Sequence, residues 1–136
     1  MSPAVPITVE RDLNRRWLVA TATGSLTIEA VVELLRTARA PVELRMWPML
    51  FDARSVTTSM TDEDVDKAVI VVRKAVETEG ARAHVALVAD TDRLYAWLLM
   101  YEIKCAEIGV RFIRVFRQRH DAEHWLDVMS AARNLR

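Results

Sequence analysis

The feature that most constrains the fold is the regular alternation of strand-like and helix-like segments. Residues 84–89 (HVALVA) are apolar after the first position, which is typical of a strand covered by helices on both faces. Apolar residues recur at helical spacing before it, in residues 61–80, and after it, in residues 92–108. Because parallel strands need helical crossovers between them, this alternation predicts a mainly parallel sheet.

The other segments extend the pattern to the order ββαβαβαβα. Residues 7–12 and 17–23 flank a polar turn and predict an antiparallel pair of strands. Residues 28–40 and 121–132 show helical spacing, whereas residues 48–53 and 110–116 are short apolar runs typical of strands. We therefore predict an α/β fold with a single mixed, mainly parallel five-stranded sheet, and one domain over residues 1–136.

The charge balance and the cysteine content indicate which classes of partner and which cellular compartment to expect. Nineteen basic residues balance nineteen acidic ones, so no net field attracts phosphate backbones and we expect no nucleic-acid partner. A hydrophobic fraction of 51% with 28% charged residues is ordinary globular usage and predicts no membrane span. The single cysteine, Cys105, allows no intrachain disulfide, and no secretory signal is visible, so we expect a cytoplasmic protein.

The sequence carries no motif for catalysis or for a cofactor. It has no Gly-rich phosphate loop, no Gly-flanked serine and no kinase signature. His120 and His124 are four residues apart, which places two imidazoles on one helix face, but no matching acid completes a metal site. We predict a non-enzymatic protein with no catalytic residues, no metal and no cofactor.

Two carboxylates at the ends of predicted strands are candidate ligand contacts. Asp52 lies at the end of the strand at 48–53, and Asp90 comes directly after the strand at 84–89. In open α/β sheets, ligands gather beyond the carboxyl ends of parallel strands. The alternative is a structural ion pair, for instance of Asp52 with an arginine of the neighbouring strand, since no nucleophile or metal accompanies the acids.

The helix predicted at 92–108 holds more apolar surface than one buried face needs. Its apolar residues spread over roughly 240° of its circumference. We predict that the part with Trp97 and Tyr101 contacts a second subunit, which makes the protein a homodimer, or an apolar ligand. Glu102 falls inside this arc and needs an arginine or a ligand donor. The alternative is that helices of the same chain cover the whole arc.

Several segments together resemble the SpoIIAA-like, or STAS, superfamily of bacteria. They are LFDAR at 50–54, ALVAD at 86–90, and VFR at 115–117 followed by Ala122, Glu123, Trp125 and Leu126. The resemblance covers nearly the whole chain. It implies a sheet layered with helices, and a function in protein interaction or in nucleotide or lipid sensing rather than catalysis.

The phosphorylation signature of that superfamily is absent. In its anti-sigma-factor antagonists, an Asp-Ser-Ser-Gly stretch opens a helix and its serine is phosphorylated by a partner kinase. The corresponding residues here are Met60, Thr61, Asp62 and Glu63. Thr61 is thus the candidate phosphoacceptor, although the carboxylates after it would repel a phosphate, and it also suits a helix cap.

Two functions follow from these observations. The first is a non-enzymatic regulatory or protein-interaction module of the STAS-like type. The alternative is a carrier or sensor of a small apolar or amphipathic, lipid-like ligand, similar to Sec14-type domains, with the ligand bound between a helix and the sheet.

Overall fold

A five-stranded sheet with helices on both faces organises residues 6–134, which are the residues that the computed structural model describes. The elements in chain order are β1 (Ile7–Asp12), β2 (Trp17–Ala22), β3 (Ser25–Leu26), α1 (Ile28–Thr37), a 3-10 turn (Val42–Leu44), β4 (Met49–Asp52), β5 (Thr57–Thr58), α2 (Asp62–Glu79), β6 (Val85–Val88), α3 (Asp92–Glu107), β7 (Ile113–Phe116) and α4 (Arg119–Asn134). The predicted fold class, a mixed and mainly parallel five-stranded sheet, is confirmed.

The strand order of the sheet is β1-β2-β4-β6-β7. β1 pairs antiparallel with β2, and the other pairs are parallel. Every crossover steps in the same direction, so right-handed connections place α1, α2 and α3 on one face. α4 follows the last strand and packs on the opposite face. In open α/β sheets, ligands bind where the strand order reverses, in a crevice beyond the carboxyl ends of the strands. The order of this sheet runs in one direction and does not form such a crevice. The expected ligand contact of Asp52 and Asp90 therefore lacks this support.

Alternating side chains of the strands divide the buried residues into two clusters, because successive side chains of a strand point to opposite faces. Phe51 and Leu87 belong to the larger cluster under α1, α2 and α3, whereas Leu50 and Val88 pack under α4. On α4, the helical spacing assigns Ala122, Trp125, Leu126 and Met129 to the core, and Met129 is half-buried. Ala122 and Leu126 are fully buried, but Trp125 is only half-buried, at the rim beside Phe116.

The boundaries of some elements differ from those predicted. The first helix ends at Thr37 rather than at residue 40, and a 3-10 turn follows Pro41. The last strand begins at Ile113 rather than at residue 110, because the N–H of Val110 bonds to the carbonyl of Cys105 and closes the end of α3. The short parallel pair β3 and β5 was not predicted, since two residues carry no detectable periodicity.

None of the helices described for residues 6–134 has the length and apolarity that a membrane crossing requires.

Candidate functional site

Asp52 lies at the carboxyl end of β4, on the face covered by α4, and is buried in an ion-pair network. Arg54 binds its carboxylate in a bidentate manner, with Nε 2.9 Å from Oδ1 and Nη2 2.8 Å from Oδ2. Nη1 of Arg119, the first residue of α4, donates to Oδ2 at 3.0 Å. The structural ion pair that we considered as the alternative is therefore present. Its arginines come from the following loop and from α4, not from a neighbouring strand.

The network keeps Asp52 ionised. Burial by itself raises the pKa of Asp52, but the hydrogen bonds and charges of Arg54 and Arg119 outweigh burial and hold this pKa below its usual value. Both carboxylate oxygens are already engaged by arginine donors. A carboxylate in this state anchors a helix to the sheet and is poorly suited to exchanging protons near neutral pH.

Asp90, after β6, holds the loop that follows β4. Its Oδ1 accepts a hydrogen bond from the backbone N–H of Ser55 at 2.7 Å. Ser55 has a φ of 62°, a left-handed conformation that a non-glycine residue adopts only when neighbouring contacts stabilise it. The charge of Asp90 also acts on Arg54. Asp52 and Asp90 thus both act on Arg54, Asp52 through hydrogen bonds and Asp90 through its charge, and both have structural roles.

Thr61 is the N-cap of α2. Its hydroxyl accepts a hydrogen bond from the N–H of Asp64 at 3.3 Å, and the N–H of Thr61 donates to the Asp64 carboxylate at 2.9 Å. This reciprocal capping box satisfies two backbone donors that a helix start leaves unpaired. The residue is exposed, and its hydroxyl already has a structural role.

Trp97 and Tyr101 on α3 are buried inside their own chain, at 7% and 5% exposure. Nε1 of Trp97 donates to the carbonyl of Thr61 at 2.9 Å, and the two aromatic rings stack with centroids 6.2 Å apart. This burial conflicts with the expectation that the two residues contact a second subunit. The other expectation, contact with an apolar ligand, stays a prediction, because both residues line the cavity described below. The exposed large apolar residues of α3 are instead Met100 and Ile103, at 43% and 44%.

Glu102 has a partner that sequence reasoning did not foresee. Its Oε1 accepts a hydrogen bond from the backbone N–H of Val115, with 2.7 Å between the two atoms. Neither an arginine nor a ligand is needed to satisfy this oxygen. Glu102 is therefore part of the packing between α3 and β7.

A cavity of about 310 Å³ lies between the sheet and α1, α2 and α3. Its lining is mainly apolar and includes Leu34, Leu35, Met49, Phe51, Val72, Val85, Leu87, Trp97, Leu98, Phe112 and Ile113. Met49, Val85 and Ile113 are the first residues of their strands. The cavity therefore adjoins the amino edge of the parallel strands, opposite the carboxyl edge where Asp52 and Asp90 lie.

The cavity opens to solvent at one end, where the residues that line it are exposed. Val42, Arg45, Met46 and Glu79 line it and are exposed. The 3-10 turn after α1 and the end of α2 thus form the rim. The sequence predicted a ligand between a helix and the sheet, but it did not indicate which helices or which edge.

Two polar side chains line the cavity in its less exposed part, and a third polar group lies beside one of them. Arg39 and Tyr101 line it, and the Cys105 thiol lies beside the Tyr101 hydroxyl. Burial raises the pKa of Tyr101 well above its usual value and raises the pKa of Cys105 to about 11, so both groups are neutral at pH 7. The nearby guanidinium of Arg39 opposes the shift at Tyr101. In the sequence, Arg39 has the position of an ordinary cation at a helix end, and no local pattern identifies it as a site residue.

The chain matches no protein-family model and no curated protein sequence. Its structure is similar to the crystal structure of an uncharacterised protein of the DUF3478 family from Shewanella loihica PV-4, which has a SpoIIAA-like fold. The two share 21% sequence identity and a TM-score of 0.50, over 93% of this chain and 98% of that chain. At this identity the likeness concerns the fold alone. This chain has a SpoIIAA-like fold, as the resemblance of its sequence implied.

Proposed function

We propose that this protein is a non-enzymatic binding module that holds a small, largely apolar molecule in the cavity between the sheet and α1, α2 and α3. The observation that carries the proposal is the cavity itself, about 310 Å³ in volume and lined mainly by apolar side chains. Protein interiors pack to the density of organic crystals, so few voids exceed the size of a water molecule. A void of this size with an open rim has the dimensions of a small-molecule site.

The state of the reactive side chains supports a binding role rather than catalysis. Asp52 is committed to Arg54 and Arg119, and Asp90 holds the backbone of Ser55. The Cys105 thiol is buried with a pKa of about 11, whereas a nucleophilic cysteine needs to be a thiolate near neutral pH. The contacts of these three groups are therefore structural, and none of the three lines the cavity.

Calorimetric titration with 1-decanol, a neutral apolar probe, tests the proposal. We expect saturable binding of one molecule per chain. Ala75 of α2 lines the cavity, so Ala75→Leu should fill part of the void and weaken decanol binding about tenfold or more.

The matched control is Ala96→Leu, on an exposed position of α3 that does not line the cavity. This variant should bind decanol like the parent protein. The proposal is wrong if decanol shows no saturable binding, or if Ala75→Leu and Ala96→Leu leave its affinity equally unchanged.

The regulatory or protein-interaction role remains a prediction, as does the homodimer. The residues first expected at such an interface, Trp97 and Tyr101, lie inside the chain. An interface on α3 would instead use its exposed residues Met100 and Ile103. Native mass spectrometry separates the two roles, since a retained small molecule supports the binding module and a ligand-free dimer supports the interaction module.

A further inference from the structure

Arg39, just after α1, carries a polar group that has no hydrogen-bond partner in the part of the chain that the structure describes. Its Nε donates to the carbonyl of Trp47 at 3.1 Å. Its Nη2 is closed off from solvent and has no hydrogen-bond acceptor among residues 6–134. A guanidinium carries five N–H donors and no acceptor, so the donors on Nη2 need an oxygen from elsewhere.

Arg39 as a whole is half-buried, but a cationic donor such as Nη2 that is shut off from solvent and has no partner is costly. Buried charges in proteins are normally paired, and most buried polar atoms have a hydrogen-bond partner. Burial lowers the pKa of Arg39 to about 10, which still leaves the guanidinium charged at neutral pH. The structure thus maintains a positive charge that nothing described within the chain neutralises.

The surroundings of Arg39 indicate where the missing acceptor would lie. Arg39 lines the cavity together with Tyr101, whose neutral hydroxyl is a second possible donor. The remaining inner lining consists of aliphatic and aromatic side chains such as Phe51 and Leu98. The carboxylate of Glu79 also lines the cavity, but it lies at the exposed rim.

We propose that the cavity binds an amphipathic monocarboxylate, with its carboxylate on Nη2 of Arg39 and its hydrocarbon part against the apolar wall. This inference rests on the proposed function and specifies its ligand. A carboxylate supplies the acceptor and the opposite charge together, and arginine pairs are among the strongest hydrogen bonds in proteins. At about 30 Å³ for each group of the size of a water molecule, 310 Å³ accommodates roughly ten heavy atoms.

Titration of the parent protein with three probes of equal chain length tests the head group. The probes are decanoate and decylamine, each kept below its micelle concentration, and 1-decanol, kept below its solubility limit, all at pH 7. We expect decanoate to bind about tenfold or more tightly than 1-decanol, and decylamine to bind more weakly than both, because it places a like charge beside Arg39. This comparison needs no variant.

Two variants then test whether the guanidinium of Arg39 causes the preference for decanoate. Arg39→Met removes the guanidinium and should abolish the preference for decanoate over 1-decanol, while 1-decanol still binds. Arg36→Met is the matched control. It removes an equal charge from an exposed position of α1 that does not line the cavity, and it should change the preference less than twofold. Circular dichroism shows whether each variant is folded.

The outcomes separate the two proposals. Equal affinity for the acid and the alcohol, as expected if water alone satisfies Arg39, overturns the carboxylate inference and leaves the binding module intact. A preference for the acid that survives in folded Arg39→Met also overturns it. Absence of binding by all three probes overturns the binding module itself. If Arg39→Met does not fold, the comparison of probes on the parent protein decides alone.

Discussion

The carboxylate of Glu102 on α3 accepts a hydrogen bond from the backbone N–H of Val115 on β7, with 2.7 Å between the two atoms. β7 is an edge strand of the sheet, and β6 pairs with only one of its sides. An open strand edge presents unpaired N–H groups that can recruit another chain. Glu102 covers one of these donors, and the lone carboxylate predicted to need an arginine or a ligand is instead satisfied by the backbone.

Replacing Glu102 with Ala should leave the N–H of Val115 unpaired. We expect the free energy of unfolding to fall by about 1 to 3 kcal/mol, the usual penalty for a buried donor without a partner. Urea denaturation measures the change. Glu102→Gln retains an acceptor oxygen and should lose less than half as much. Equal stability of the Ala variant and the parent would mean that the hydrogen bond contributes nothing.

Thr61→Ala should lower the free energy of unfolding by about 1 kcal/mol, because it removes the hydroxyl that caps α2. Thr61→Ser keeps the hydroxyl and is the control, with an expected loss well below that of Ala. Denaturant midpoints of the variants give the comparison. An unchanged midpoint together with loss of a binding activity would assign Thr61 a switching role, as expected of a phosphoacceptor, instead of a structural one.

Asp52→Asn should lower the free energy of unfolding at pH 7 by about 1.5 kcal/mol, since it removes a charged acceptor. We expect no larger loss, because the side chains of Arg54 and Arg119 are partly exposed and can be rehydrated. The folded pKa of Asp52 is lowered. Its stabilisation is therefore fully present above the unfolded pKa of about 3.9 and is lost as the pH falls through the folded value.

The stability difference between parent and Asp52→Asn should accordingly shrink below about pH 4. Asp66→Asn is the matched control, because Asp66 forms an exposed ion pair with Lys104. It should change stability by less than about 0.5 kcal/mol at either pH. A gap between parent and Asp52→Asn that stays constant down to pH 2 would contradict the proposed ionic role.

Cys105 should be unreactive in the folded protein. Its thiol is fully buried and its pKa is raised to about 11, so little thiolate exists at pH 8. We expect Ellman's reagent to react at least about 100-fold more slowly with the folded than with the urea-unfolded protein. The rate for the folded protein should rise as the pH approaches 11. Equal rates for both states at pH 8 would show that the thiol is accessible.

Tyr101→Arg should prevent folding, since it places a charge in the core between α3 and the sheet. Tyr101→Phe keeps the ring and should fold. Met100→Arg is the control on the exposed side of the same helix, and it should melt within a few degrees of the parent. Thermal unfolding followed by circular dichroism distinguishes the three variants. A folded Tyr101→Arg protein would mean that residue 101 is exposed, as the sequence analysis predicted.

The apolar arc of α3 shows why its surface could not be predicted from sequence. Periodicity indicates how much of a helix is apolar, but it does not indicate how many neighbours cover it. Trp97 is buried because α3 packs beside α2, where its indole bonds to the carbonyl of Thr61. Met100 and Ile103 are equally apolar in sequence and face outward.

The sequence by itself determined the types of the main elements and their order, because strand and helix periodicities are local properties of the chain. It also indicated the Thr61 cap, which depends on residues three apart. Only the tertiary structure decided the direction of the strand order, which gathers α1, α2 and α3 on one face and leaves the cavity beneath them. Only the tertiary structure also shows that Nη2 of Arg39 is buried, because the burial of that atom depends on packing between different segments of the chain.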